Sequence, residues 1–215
     1  MLKNDDNITF YDKIALEKFK ELATMIGMDT WAGMEVVFPF IEDKKVIVEL
    51  GAGYGRVIDY LLKNNFQEEI IAIDRISWLV EHLKKKYSNQ KVSVFQQDIK
   101  DLHIPKKADA VLWMWSGILE LSPKEQLKSI QNIYHTLSEN GILIIETPYK
   151  ELRCVGEFQT KKVIHFEADW GSIDAYLSDF QEIENFAKKA NFQSLDFKTY
   201  KTSKGIERII YFLKK

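Results

Sequence analysis

Short apolar runs alternate along this chain with segments whose apolar positions recur every three or four residues. Val46 to Leu50, Ile70 to Asp74, Val92 to Phe95, Ala110 to Trp115 and Ile142 to Glu146 have the length and patterning of strands. Ala110 to Trp115 is apolar throughout, as a strand covered on both faces requires. Between the runs, Val57 to Leu62, Trp78 to Tyr87 and Pro123 to Leu137 carry helical spacing. The last of these has Ser122 placed as a cap and Pro123 at its start, with Leu127, Ile130, Tyr134 and Leu137 on one face. Asn140-Gly141 is expected to end it. Alternation of this kind predicts an α/β fold, a three-layer sandwich around a mostly parallel sheet.

The two ends of the chain read differently. Residues 10 to 27 place Ala15, Phe19, Leu22, Ala23 and Ile26 on one helical face, and Met34 to Ile41 forms a second helix that Pro39 weakens. Lys150 to Asp169 is irregular. Asp179 to Ala190 is helical, and Ser194 to Thr202 and Ile206 to Leu213 alternate as strands. The turn Ser203-Lys204-Gly205 is too short for anything but an antiparallel pair, so the sheet should finish in a hairpin. The organisation expected is a helical cap or lid over 1–45 and a main domain over 46–215, with a substrate-side insertion at about 150–175.

Composition narrows the classes. A chain of 215 residues fits one domain with an added cap, and its net charge of −2 gives no global signature of a nucleic-acid binder. The single cysteine, Cys154, excludes an internal disulfide and a cysteine metal cluster; it reads as a free thiol in a reducing compartment. No metal is expected. Met1 to Asn7 lacks the apolar core of a secretory signal, and no apolar run is long enough to span a bilayer. The expectation is a cytoplasmic protein with no membrane partner; the oligomeric state stays open.

The chemistry concentrates in Glu49-Leu50-Gly51-Ala52-Gly53-Tyr54-Gly55, between a buried strand and a helix. Glycines there let the backbone turn sharply and let a ligand approach the main chain. A dinucleotide fingerprint needs a small residue at its sixth position; Arg56 stands there, and Gly55 comes one place early. Glu49, Asp74, Asp98 and Trp115 all fall at or just past the carboxyl ends of predicted strands, where open α/β sheets bind ligands. A solvated strand end is the plain alternative for Asp74, and Asp101 and Asp109 show that acids are common on these loops.

An acid two residues before Gly-x-Gly-x-Gly, the run of parallel strands and the terminal hairpin together resemble the seven-stranded, class I S-adenosylmethionine-dependent methyltransferases. The resemblance spans about Phe10 to Leu213. It implies S-adenosylmethionine as cofactor and S-adenosylhomocysteine as product. Gly51, Ala52 and Gly53 would pass beside the methionine moiety, with Glu49 facing its amino end. Asp74 would accept from the ribose hydroxyls, Arg75 or Ile76 would flank the adenine, and Gln97, Asp98 and Ile99 would line the adenine end. Trp115 and Ser116 would lie beside the methionine and sulfonium. Tyr11 resembles the aromatic residue that closes the site in many relatives, although ordinary helix packing explains it equally well. The space above Gly53 should be open.

Trp115-Ser116-Gly117-Ile118-Leu119-Glu120 departs from the Asn/Asp-Pro-Pro-Tyr/Phe run of amino-methylating members. The reading is therefore methyl transfer to a small-molecule acceptor by in-line displacement. Alternatives are a protein or tRNA acceptor, an NAD(P)-dependent oxidoreductase, and a catalytically silent cofactor-binding partner subunit. His82, His103 and His135 read as surface residues. His165, Glu167, Asp169 and Tyr149 are candidate general bases on regional grounds alone.

Overall fold

A computed structural model describes residues 4–149, 157–158 and 162–215; Cys154 lies outside them. In chain order the elements are α1 (Asn4–Lys13), α2 (Leu16–Met25), α3 (Ala32–Val37), β1 (Val46–Leu50), α4 (Arg56–Lys63), β2 (Glu69–Asp74), α5 (Ser77–Lys86), β3 (Val92–Gln96) and β4 (Ala108–Trp113). They continue through α6 (Pro123–Thr136), β5 (Leu137–Pro148), β6 (Glu157–Phe158), β7 (Val163–Ala168), β8 (Gly171–Tyr176), α7 (Phe180–Lys189), β9 (Ser194–Lys201) and β10 (Glu207–Lys214).

The seven-stranded sheet has the order β3-β2-β1-β4-β5-β10-β9. β1 to β5 pair in parallel, and β10 runs antiparallel to both β5 and β9. This is the expected sandwich with its terminal hairpin. From β1 the chain winds outward through β2 and β3, then returns to β4 on the other flank of β1. The carboxyl ends of β1 and β4 thus form the switch point at which such sheets open a crevice.

Two-residue alternation divides the apolar runs between the faces. Val48, Leu50, Ile71, Ile73, Val111 and Trp113 pack with Ile130, Ile133 and Ile183 of α6 and α7. Ile47, Ile70, Ala72, Ala110 and Leu112 pack with Met34 and Val37 of α3 and Val57, Ile58 and Leu61 of α4. A third cluster, with Phe10, Ile14, Phe19, Ile76 and Leu79, lies where α1 and α2 meet the sheet rim.

Five expectations change. The N-terminal helix breaks between Lys13 and Leu16, and the helix before β1 ends at Val37, where Phe38–Phe40 tighten into a 3-10 turn around Pro39. β4 ends at Trp113, because Trp115 and Ser116 adopt left-handed φ values of 48° and 65°. α6 ends at Thr136, and β5 follows at once; Asn140, at φ 62°, sits inside β5, where the pairing with β4 shifts register. The stretch read as irregular contributes β7, which pairs antiparallel with β8 just beyond it. Its sequence alternates over so few residues that periodicity alone carries little signal. α1 is fastened to this pair by the Asn7 amide, which donates to the Asp174 carbonyl at 3.0 Å and accepts from its N–H at 2.9 Å.

Gly55 shows how tightly the first turn is held. Its φ is 87°, and a Cβ there would run into the Tyr87 hydroxyl. That hydroxyl lies 2.8 Å from the Gly55 carbonyl and 2.7 Å from Asp59 Oδ1. Gly55→Ala should therefore lower stability by about 1–3 kcal/mol, from backbone strain and the displaced tyrosine. Chemical denaturation checks this, and a loss below a few tenths would show that the turn relaxes freely.

Candidate active site

The carboxyl ends of β1 to β4 open into a cavity of about 260 Å³. Its roof is built by Phe10 and Tyr11 of α1, Phe19 and Leu22 of α2, and Phe166 and Ile173 of the β7–β8 pair. Every predicted cofactor residue lines it: Tyr11, Glu49, Gly51, Ala52, Gly53, Asp74, Arg75, Ile76, Gln97, Asp98, Ile99, Trp115 and Ser116.

Asp74, at the end of β2, is 6% exposed. Its Oδ2 accepts from the Gly53 N–H at 2.8 Å and its Oδ1 from the Ile76 N–H at 2.9 Å. The carboxylate thus ties the glycine turn to the start of α5, and each oxygen keeps a further lone pair. Burial raises its pKa, and the two backbone N–H bonds work against that rise.

Glu49, the last carboxylate of β1, is 4% exposed, and its Oε2 has no hydrogen-bond partner. Burial pushes its pKa well above the usual carboxylate range, with Arg56 pulling the other way. Close by, Gly51 turns at φ 66° with no heavy atom within 4 Å of where a Cβ would stand. Gly53 differs. The Phe19 ring comes to 3.5 Å from its Cβ position, stacks on Trp115 at 5.4 Å and meets Tyr54 edge-on at 5.3 Å. The space above Gly53 is therefore covered by α2, not open as expected, because the break after α1 turns Phe19 inward. The cradle lies over Gly51.

The rim beyond β4 is pinned from β5. Glu146, fully buried, accepts from the Trp115 N–H at 2.8 Å through Oε2 and from Arg208 Nε at 3.1 Å through Oε1. The Tyr200 hydroxyl also donates to it. Arg208 Nη2 donates to Ser116 Oγ at 2.7 Å. Burial would raise the Glu146 pKa, but the guanidinium groups of Arg208 and Arg56, the Tyr200 hydroxyl and the Trp115 N–H outweigh it and hold the carboxyl low. This network keeps Trp115 and Ser116 in their left-handed conformations.

On the far side, Arg75 Nη2 pairs with Glu120 Oε2 at 2.6 Å, and the Tyr11 hydroxyl bonds the same carboxylate. Burial raises the Glu120 pKa and Arg75 opposes it. Tyr11 thus meets the cavity at its Asp74 end, while Phe19 closes the glycine turn. Asp98 caps the short turn after β3 by accepting from the Lys100 N–H at 2.9 Å. The Gln97 side chain is spent on His103, donating to its carbonyl at 2.7 Å and accepting from its N–H at 2.8 Å. The Gln97 amide is therefore held by the His103 backbone, with one N–H and one lone pair left over.

None of the four candidate bases lines the cavity. His165 and Asp174 face each other across β7 and β8, with Nδ1 2.8 Å from Asp174 Oδ1 and Nε2 3.0 Å from Glu167 Oε1. Alternation puts Ile164 and Phe166 inward, so His165 and Glu167 point outward. Asp169 is exposed, and Tyr149, just past β5, packs against the core. The residues missed by sequence reading are Phe19, Glu120, Glu146, Arg208 and, as a lining residue, Arg56. Glu146 carries the same signal as Glu49 and Asp74, a carboxylate ending an apolar run. Arg208 carries none, because its contacts are set by strand pairing.

Residues 47–141 match the model of a methyltransferase domain. A malonyl-[acyl-carrier protein] O-methyltransferase of Priestia megaterium is 28% identical over 112 residues, covering 50% of this chain and 38% of that protein. The chain spans 38% and 60% of the lengths of two curated relatives it matches. Among solved structures, an S-adenosylmethionine-dependent methyltransferase of Clostridium acetobutylicum superposes with a TM-score of 0.69 at 16% identity, covering 92% of this chain and 98% of that one. A Burkholderia thailandensis 1,6-didemethyltoxoflavin-N1-methyltransferase gives 0.69 at 16% identity, covering 99% and 86%. Residues 47–141 are thus similar to a methyltransferase domain, and the chain shares its fold with solved S-adenosylmethionine-dependent methyltransferases.

Proposed function

We propose that this protein is an S-adenosylmethionine-dependent methyltransferase acting on a small-molecule acceptor. The observation that carries the reading is the unpartnered Glu49 Oε2, buried beside the open face of Gly51 in the same cavity as Asp74. A buried carboxylate oxygen without a donor calls for a cationic or N–H partner. The amino group of the cofactor supplies one. Asp74 has acceptor capacity for the ribose diol, Ile76 and Ile99 offer apolar faces to the adenine, and Asp98 lies at the same end for its exocyclic amine. The Trp115, Tyr54 and Phe19 rings suit a sulfonium.

The cofactor supplies the activated methyl group; the protein contributes alignment and exclusion of water. Residues 1–45 act as the lid and the β7–β8 pair within 150–175 as the acceptor-side wall. Proton acceptance falls to groups that face the cavity. His165, Glu167 and Tyr149 have no place in it. The roof of α1, α2 and β7–β8 favours a small acceptor over a protein or tRNA. Arg56, where a dinucleotide fold needs a small residue, argues against NAD(P). A silent partner subunit would have no use for an unpaired Glu49. Among the described residues no helix is long and apolar enough to cross a membrane, and a cytoplasmic setting belongs to this proposal.

Calorimetric titration should show S-adenosylmethionine and S-adenosylhomocysteine binding while NAD does not. NAD binding without the sulfur compounds would reverse the assignment.

A further inference from the structure

β9 closes one end of the seven-stranded sheet and pairs with β10 alone, so its outer edge is unpaired among the described residues. Residues 196 to 199 are all exposed. Just past the strand, the Thr202 N–H donates to the Ile206 carbonyl at 2.9 Å. Two-residue alternation from that bond turns the N–H and C=O groups of Tyr200, Lys198 and Asp196 toward β10, and those of Thr199, Phe197 and Leu195 outward. Accordingly, the Phe197 N–H donates to Asp196 Oδ1 at 3.0 Å rather than into the ladder.

The side chains along this edge divide between its two faces. Phe197, 46% exposed, meets the ring of Phe180 at the start of α7 edge-on at 5.4 Å. These are two of the three large apolar side chains exposed among the described residues. On the opposite face Asp196 and Lys198 stand two residues apart. Asp196 accepts from its neighbour's N–H and Lys198 lies over the Phe40 ring, and neither has an ion-pair partner among the described residues. Unpaired edges are usually blunted, often by lysine. Here the lysine has its complement in the same strand. A second β9 running antiparallel can bond the outward groups in registers two residues apart. With Phe197 opposite its own copy, Leu195 falls opposite Thr199, and Asp196 falls opposite Lys198 on both sides of the two-fold axis. Shifting the pairing by one step sets Lys198 against Lys198 or, the other way, Asp196 against Asp196. Like charges directly opposite are destabilising, so charge favours the central register of the three. That register also brings the two Phe197 rings together. We propose that this protein forms a two-fold dimer in which β9 pairs antiparallel with β9 of a second copy, joining the two sheets into one. The proposal is independent of the methyltransferase reading, since no residue of β9 lines the cavity.

Sedimentation equilibrium of the full chain should show a dimer. Asp196→Lys sets like charges opposite each other twice over and should raise the dimer dissociation constant about tenfold or more. Lys198→Asp should do the same. The double variant, Asp196→Lys with Lys198→Asp, restores unlike charges in the same register and should return to within about threefold of wild type. A wild type that is monomeric at about 0.1 mM overturns the proposal. So does a dimer that the single substitutions leave unchanged, or a double variant no tighter than the singles. Should a substitution unfold the chain, amide exchange in the wild type decides. The N–H groups of Leu195, Phe197 and Thr199 should exchange about tenfold or more slowly as protein concentration rises, while those of Asp196 and Lys198, already in the ladder, stay as they are. Exchange at the three outward groups that ignores concentration overturns the dimer.

Discussion

Asp74→Ala should abolish measurable binding of S-adenosylhomocysteine. The carboxylate accepts from Gly53 and Ile76, and so holds the glycine turn and the start of α5 in one arrangement. In the proposed complex the same oxygens also receive the ribose hydroxyls. Hydrogen bonds to a charged group contribute about 1.5–3 kcal/mol each, so losing two to the ribose corresponds to roughly a hundredfold or more in affinity. The backbone donors left behind add to the loss. Asp74→Asn, which keeps one carbonyl acceptor, should fall between the two. Calorimetry reads both variants, with thermal unfolding to confirm that they are folded. Affinity within about threefold of wild type in Asp74→Ala would place the adenosine somewhere other than the end of β2.

Arg208→Met should be the most destabilising substitution at the rim. It leaves Glu146, fully buried, without the cation that neutralises it. Breaking a buried pair from one side costs about 3–5 kcal/mol. For a domain of this size that is roughly 6–20 °C in Tm. The double variant Arg208→Met with Glu146→Gln should recover much of the loss, because no unpaired charge remains. The pH dependence carries its own signature. In the wild type the Glu146 pKa is lowered, so its stabilisation is present above the ordinary carboxylate pKa and is lost as pH falls through the lowered value. In Arg208→Met burial takes over and the folded pKa rises. The deficit should then shrink as pH falls and Glu146 takes up a proton. Denaturant melts of the single and double variants across pH 4–8 measure this, and a deficit that does not change with pH would mean that the pair adds only packing.

These two residues also mark the boundary of what could be read beforehand. Asp74 was legible because it ends an apolar run on a strand whose neighbours could be ordered from strand–helix alternation. Arg208 was not, since its role depends on β10 inserting between β5 and β9 and delivering its side chain to Ser116. His165 lies outside the cavity for a local reason. A sequence places a residue near a region, and only the pairing of β7 with β8 decides which face it takes. Phe19 was visible as one position of an apolar helical face, but the break at Ile14–Ala15 that turns it onto Trp115 left no distinct periodic signal.

By itself, the amino-acid sequence determined the sandwich, the glycine turn and the carboxylates at the strand ends, because two- and four-residue spacings and tight turns are governed by short-range sterics and burial. Tertiary structure alone decided which charges meet and which stay unpaired. The Glu146–Arg208 contact and the unpartnered Glu49 Oε2 arise from elements far apart in the chain or from a turn held by distant partners, and no local pattern encodes such distances.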